Sequence, residues 1–179
     1  MFSKKDKENK TEATINGNGN GTSVTQSTSN DSLANNATDV NFTIQRIYLK
    51  DLSFESPQSP RVFAKAEWKP DVNIELSVKN EKIDDNVFEV ILVLTITLAY
   101  DKQTIFINEV KQAGVFTIEG AQPMQLEHLL GSYCPNIIFP YAREVISDVI
   151  VRGGFPQLLL APINFDALFE ESKKKAANS

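Results

Sequence analysis

Phe88, Val90, Leu92, Leu94, Ile96, Leu98 and Tyr100 fall on alternate positions of the stretch FEVILVLTITLAY, and Glu89, Ile91, Val93, Thr95, Thr97 and Ala99 stand between them. Period-two alternation marks a strand, and here both of its faces are largely apolar, so both need cover. One helix layer shields one face only. The pattern therefore implies a second subunit on part of the sheet. In NFTIQRIYLKDLSF the apolar positions begin as Phe42 and Ile44 and change parity to Ile47 and Leu49, which predicts a strand bulged near Gln45–Arg46. Val72, Ile74, Leu76 and Val78 alternate with Asn73, Glu75, Ser77 and Lys79, the signature of a half-buried strand. KIDDN is a turn into the most apolar strand, with Asp84 and Asp85 as solvated turn formers, and Asp101–Lys102 is a tight turn out of it into TIFINEVKQAGVF. The loop SPQSPRVFAKAEWKP carries Pro57, Pro60 and Pro70, which prevent regular pairing, and sets Phe63 and Trp68 among polar neighbours.

The period then lengthens. QPMQLEHLLG (122–131) predicts a short helix closed by Gly131. Pro140 suits the first turn of a longer helix, YAREVISDVIVRGG, with Tyr141, Ala142, Val145, Ile146, Val149 and Ile150 as an apolar stripe and Gly153–Gly154 as its end. After the extended FPQLLLAPI, Asn164 caps a last helix, FDALFEESKKKA, in which Glu170–Lys174 and Glu171–Lys175 are favourable pairs four residues apart. Four strands joined largely as an antiparallel meander, then two main helices, make an α+β layer domain over 40–171. Residues 1–39, rich in Asn, Thr, Ser and Gly, have almost nothing to bury and are expected to be disordered, and 172–179 form a short basic tail.

Charge sharpens the picture. Residues 41–171 carry eleven basic and eighteen acidic side chains. An acidic body argues against nucleic acid, whose phosphates need clustered Lys and Arg, and suits a basic protein partner. No apolar run reaches the length of a membrane span, so no direct membrane insertion is expected. MFSKKDKENK has no apolar segment behind its basic residues, and the one cysteine cannot close an internal disulfide; both features point to the cytoplasm.

The only candidates for nucleophilic chemistry are Cys134 and His128. Nothing in the sequence makes them face each other, and Cys134 sits in an aromatic and aliphatic stretch where a thiol behaves as a small buried hydrophobe. One Cys and one His cannot complete a structural zinc site, Gly17, Gly19 and Gly21 lack the strand, spacing and Lys-Ser or Lys-Thr of a phosphate loop, and no cofactor is implied. A cysteine hydrolase is thus the weaker alternative. The reading is of a binding protein that is not an enzyme. A long loop and a terminal helix flanking a sheet leave an apolar groove for extended peptide, held by aromatic contacts and by pairing along a strand edge.

IQRIYLKDLSFESP, the loop through Trp68-Lys69-Pro70, GSYCPNIIFPYARE and RGGFPQLLLAPINFDALF together resemble the SecB protein-export chaperones over about residues 41–170. The resemblance implies a four-stranded antiparallel sheet with helices, assembled as a homotetramer that is a dimer of dimers. It implies an ATP-independent holdase that keeps unfolded preproteins soluble in the cytoplasm and delivers them to the SecA ATPase. Asp51 and Glu55 match the family's acidic SecA-contacting positions, and Ile107 and Glu109 complete that patch. Tyr48, Phe63, Trp68 and Phe106 match aromatic positions of the client groove, and Leu168 and Phe169 match its terminal-helix lid. Asn108, Val110 and Gln112 match strand positions that influence tetramer assembly, and the helix 140–152, with Tyr141, Val145, Ile146 and Val149, is expected in the subunit interface. Three departures stand out: the long leader, an extra residue near Ala66, and a tail shorter than many that give SecA a second contact. A SecB-like chaperone devoted to one partner, such as an antitoxin, is the alternative within the family.

Overall fold

The computed structural model describes residues 40–64 and 69–177. The leader, the extra residue near Ala66, and Trp68 lie outside the described residues. Four strands, β1 (Asn41–Glu55), β2 (Asp71–Asp84), β3 (Val87–Tyr100) and β4 (Gln103–Glu119), form one antiparallel sheet in the order β1-β4-β3-β2. The last three are a meander. β1 returns to pair with β4, so the β1–β2 connection crosses the width of the sheet. Asp101 and Lys102 both take positive φ between the paired Tyr100 and Gln103, the two-residue turn that matches the strands' own twist. The expected bulge in β1 is present between Ile44 and Arg46, and a second register shift lies between Leu49 and Asp51. The two shifts explain the parity change read from the sequence: Ile44, Ile47, Leu49 and Leu52 all pair with residues of the inner face of β4.

That inner face is covered by α2 (Cys134–Arg152). Ile138, Ala142, Ile146 and Ile150, each four residues after the last, are fully buried, as are Val90, Leu92, Leu94 and Ile96 of β3. α2 approaches the sheet closely because Gly114 has no side chain: a Cβ there would run into the ring of Phe116 and press on Cδ1 of Ile138.

Two helix boundaries differ from expectation. Gly131 does not close a helix, and Pro140 does not open one. α1 (Pro123–His128) passes through a wide π turn, Leu129–Tyr133, straight into α2, with Pro135 in the first turn of α2 and Pro140 inside it. Pro135 follows that wide turn, where the ordinary ladder of hydrogen bonds is already shifted. Pro140 and Asn136 are both exposed, so water can reach the carbonyl that loses its N–H partner. Sequence rules for Gly and Pro were outweighed by burial of Cys134, Pro135, Ile138 and Phe139 on the turns between them. α3 (Phe165–Ala177) begins as expected, with Asn164 Oδ1 accepting the backbone N–H of Ala167 at 3.0 Å, and contains the Glu171–Lys175 pair at 2.8 Å. It runs on through most of the segment read as a tail.

Among the described residues no layer covers the outer face of the sheet; Ile91, Val93, Thr95, Thr97 and Ala99 are half-buried between neighbouring strands. Besides Ile107 on that face, apolar side chains are exposed on the inner-face positions of the two outer strands, at Ile44, Leu49 and Leu52 of β1 and at Val72 and Ile74 of β2. The reading of the second strand as half-buried thus holds for Leu76 and Val78 but not for Val72 and Ile74. Truncation of Ile146, the centre of the α2 ladder, is expected to lower unfolding stability by roughly 2–5 kcal/mol, since it leaves a cavity between helix and sheet; urea unfolding of Ile146→Ala measures this.

Candidate functional site

A groove of about 770 Å3 opens between the edge strand β2 and the pair formed by α1 and α3. Leu76 and Val78 line it from the sheet, Leu126 and Leu130 from the first helical segment, and Leu168 and Phe169 from α3. Among the described residues β2 has no strand on its far side, so its outward N–H and C=O groups border the groove unpaired by the sheet. α3 is fastened over the groove by several weak contacts. Phe165 is buried, with its ring 5.7 Å from that of Phe139. The ring of Phe169 packs on the bare backbone of Gly131, where any Cβ would overlap it. Lys173 reaches Glu127 at 3.1 Å and sits 5.1 Å from the centre of the Phe169 ring.

Asp166 at the start of α3 accepts a hydrogen bond from the Ser132 hydroxyl and lies 3.0 Å from Nε2 of His128, whose ring meets Phe169 edge-on at 5.5 Å. These are the residue types of a hydrolase triad in the wrong order. The carboxylate stands between serine and histidine, so the serine proton points at Asp166 and not at an imidazole base. Cys134 is wholly buried, and burial pushes its thiol up to about 12. A nucleophilic thiol needs the opposite shift.

Phe63, from the short helical turn Arg61–Ala64, belongs to a second apolar region. Its ring lies 5.3 Å from Phe155, which in turn lies 4.9 Å from Phe106, with Phe54 5.5 Å from Phe106. Phe63 is half exposed and Phe106 is buried, so of these two predicted groove aromatics only Phe63 offers surface. Sequence reading passed over Phe54 and Phe155; the inner-face parity of Phe54 was the available signal.

Tyr48 is not with them. It points to the outer face, where its hydroxyl donates to Glu89 and Lys50 binds both oxygens of the same carboxylate at 2.7 Å. Burial alone would raise the Glu89 carboxyl, but the hydrogen bonds from Lys50 and Tyr48 outweigh it and hold the group below the usual range. The bond to Glu89, then burial, push the Tyr48 phenol up to about 12. Tyr48 therefore lies across the sheet from the groove, fixed against the buried carboxylate of Glu89.

Cross-strand register assembles the rest of the outer face. Asp51 pairs with Lys111, Ser53 with Glu109, and Glu55 with Ile107. The four residues Asp51, Glu55, Ile107 and Glu109, far apart in sequence, thus meet on three adjacent rows of one face. Lys111 joins two of them, at 2.8 Å from Asp51 and 3.1 Å from Glu109. Its hydrogen bond and charge hold the Asp51 carboxyl below its ordinary value. Asn108, Val110 and Gln112 lie on the opposite, inner face and are buried beneath the helix layer. Asn108 donates to the Ser53 carbonyl at 2.9 Å, while its own side-chain oxygen and that of Gln112 find no partner among the described residues. Any effect of these three on assembly must pass through the sheet–helix packing. On α2, Ile146 is core, Val145 and Val149 are half-buried, and Tyr141 is exposed.

A family model described as "Preprotein translocase subunit SecB" matches residues 35–176. The chain belongs to the SecB family. Over 134 residues it is 57% identical to the protein-export protein SecB of Hahella chejuensis, covering 75% of this chain and 84% of that one. The SecB of Legionella pneumophila strain Philadelphia 1 is 53% identical over 141 residues, with 77% and 86% covered. Among solved structures, a Mycobacterium tuberculosis SecB-like chaperone in complex with an antitoxin peptide superposes with a TM-score of 0.58 at 17% identity, over 68% of this chain and 90% of that one, and so shares the fold. Among the described residues no helix is long and apolar enough to cross a membrane.

Two outcomes follow from the groove and from Cys134. Gly131→Ala is expected to displace Phe169 and loosen α3, seen as faster amide exchange throughout that helix with the sheet unchanged. The Cys134 thiol is expected to resist Ellman's reagent at pH 8 in the native protein and to react fully in urea. Because its folded pKa lies above its unfolded one, stability contributed at this site is complete below pH 9 and is lost as pH rises toward 12.

Proposed function

We propose that this SecB-family chain is an ATP-independent holdase of protein export, which binds unfolded preproteins in the cytoplasm and delivers them to SecA as a homotetramer. The observation that carries the client half is the groove beside the free edge of β2. Unfolded chains share exposed apolar side chains and unpaired backbone groups, and this groove offers apolar walls together with an open strand edge. Such a surface recognises lack of structure and not a particular sequence. Leu168 and Phe169 serve as its movable wall, because α3 is held by contacts that are individually weak.

The delivery half is supported by the outer face, where Asp51, Glu55 and Glu109 surround the exposed Ile107. Complementary charge speeds and orients the approach of a basic partner. Groove and acidic face lie on opposite sides of one sheet, so a client and SecA can be held together. Assembly is supported by apolar surface that the described residues leave open: Ile44, Leu49 and Leu52 on β1, and Tyr141 with the half-buried Val145 and Val149 on α2. Several grooves per assembly then add avidity for a long client.

The expected solution mass is four times that of one chain, by light scattering. Leu168→Asp combined with Phe169→Asp is expected to weaken capture of an unfolded preprotein at least about tenfold with that mass unchanged. SecA should be retained by the wild type and lost with Asp51→Lys or Glu109→Lys. Wild-type protein that captures unfolded chains yet ignores SecA would support the single-partner reading instead.

A further inference from the structure

The inference here rests on the outer face being the SecA docking surface. Its three rows, Asp51–Lys111–Val93–Ser77, Ser53–Glu109–Thr95–Glu75 and Glu55–Ile107–Thr97–Asn73, hold four carboxylates and one cation, Lys111. The adjoining Lys50 is committed to the buried Glu89. Lys111 spans the two acids nearest the middle, Asp51 at 2.8 Å and Glu109 at 3.1 Å. Half of the carboxylates in the patch therefore already have a counter-ion supplied by the protein. Hydrogen bonds to Asp51 and Glu109 hold the Lys111 ammonium above its usual value, and Asp51 is held low in turn, so this pair stays charged around neutral pH.

A basic partner must take Asp51 and Glu109 away from Lys111, and it leaves that ammonium beside its own cations. All three side chains are more than a third open to water, so the exchange requires no unfolding and the internal pairs are weak. We propose that Lys111 is an intramolecular competitor that keeps the acidic face at low affinity, so that the partner is drawn in by the remaining negative field and released readily. A carrier that passes its cargo on needs such a short-lived contact.

The test is SecA affinity for wild-type, Asp51→Asn, Lys111→Gln, Lys111→Met and Lys111→Arg proteins at low and high salt, with assembly mass measured for each. Lys111→Gln and Lys111→Met are expected to bind about three- to tenfold tighter at low salt, chiefly through slower release, with the gain gone near 0.5 M salt. Lys111→Arg should behave as wild type. If Asp51→Asn weakens binding but neither uncharged variant tightens it, or either weakens it, Lys111 is not a competitor, although the docking face stands. If Asp51→Asn binds as wild type does, the docking reading falls and takes this role of Lys111 with it.

Discussion

Everything in this fold depends on α2 lying flat against β3 and β4. The contact is made by a ladder of residues four apart, Ile138, Ala142, Ile146 and Ile150, against the even-numbered face of β3 and the inner face of β4. Gly114 brings the two layers close enough for dense packing. Once that face is sealed, the other consequences are forced. The opposite face of the sheet is left with a mixture of charged, small and aliphatic side chains, among them Ile91, Val93 and Ile107, and both outer strands keep apolar residues that no other described element covers. The same packing overrides two prolines and a glycine, because burying the first turns of α2 outweighs the local preference to break there.

The sheet then works as a partition. On the helix side, an edge strand and the terminal helix enclose an apolar groove. On the other side, antiparallel register gathers acids from β1 and β4 around Ile107. Two ion clusters share that outer face and differ in kind. Lys50 and the half-buried Tyr48 converge on the buried carboxylate of Glu89, a set that ties β1 to β3 across the small Ala113. Lys111 with Asp51 and Glu109 is open to water and able to exchange partners. The difference lies in the carboxylates: Glu89 is buried, whereas Asp51 and Glu109 face water.

Legibility in the sequence followed how local the information was. The bulge in β1, the Asp101–Lys102 turn, the Asn164 cap and the alternation of β3 depend on neighbours within a few residues, and each was readable. Tyr48 illustrates the other case. The family resemblance assigns it to the groove, but the bulge at Ile44–Arg46 sets its parity so that it faces the far side beside Glu89. The helix boundaries around Gly131 and Pro140 were misread for a related reason: local rules describe an isolated helix, whereas Gly131 is kept bare for Phe169 of α3. Lys111 was readable in principle, since it shares parity with Ile107 and Glu109, but its partner Asp51 lies 60 positions away.

By itself, then, the sequence determined the class of fold, the number of strands, the family resemblance and the acidic character of the body. These follow from period, composition and short motifs, which are properties of the unfolded chain as much as of the folded one. Only the tertiary structure decided which side of the sheet each residue serves. That choice separates Tyr48 from Phe63, buries Asn108, Val110 and Gln112, and brings Lys111 between two acids. The physical reason is that a strand's side chains alternate with period two, so one bulge in β1 or one step of register moves a whole set of residues from the helix-covered face to the acidic one.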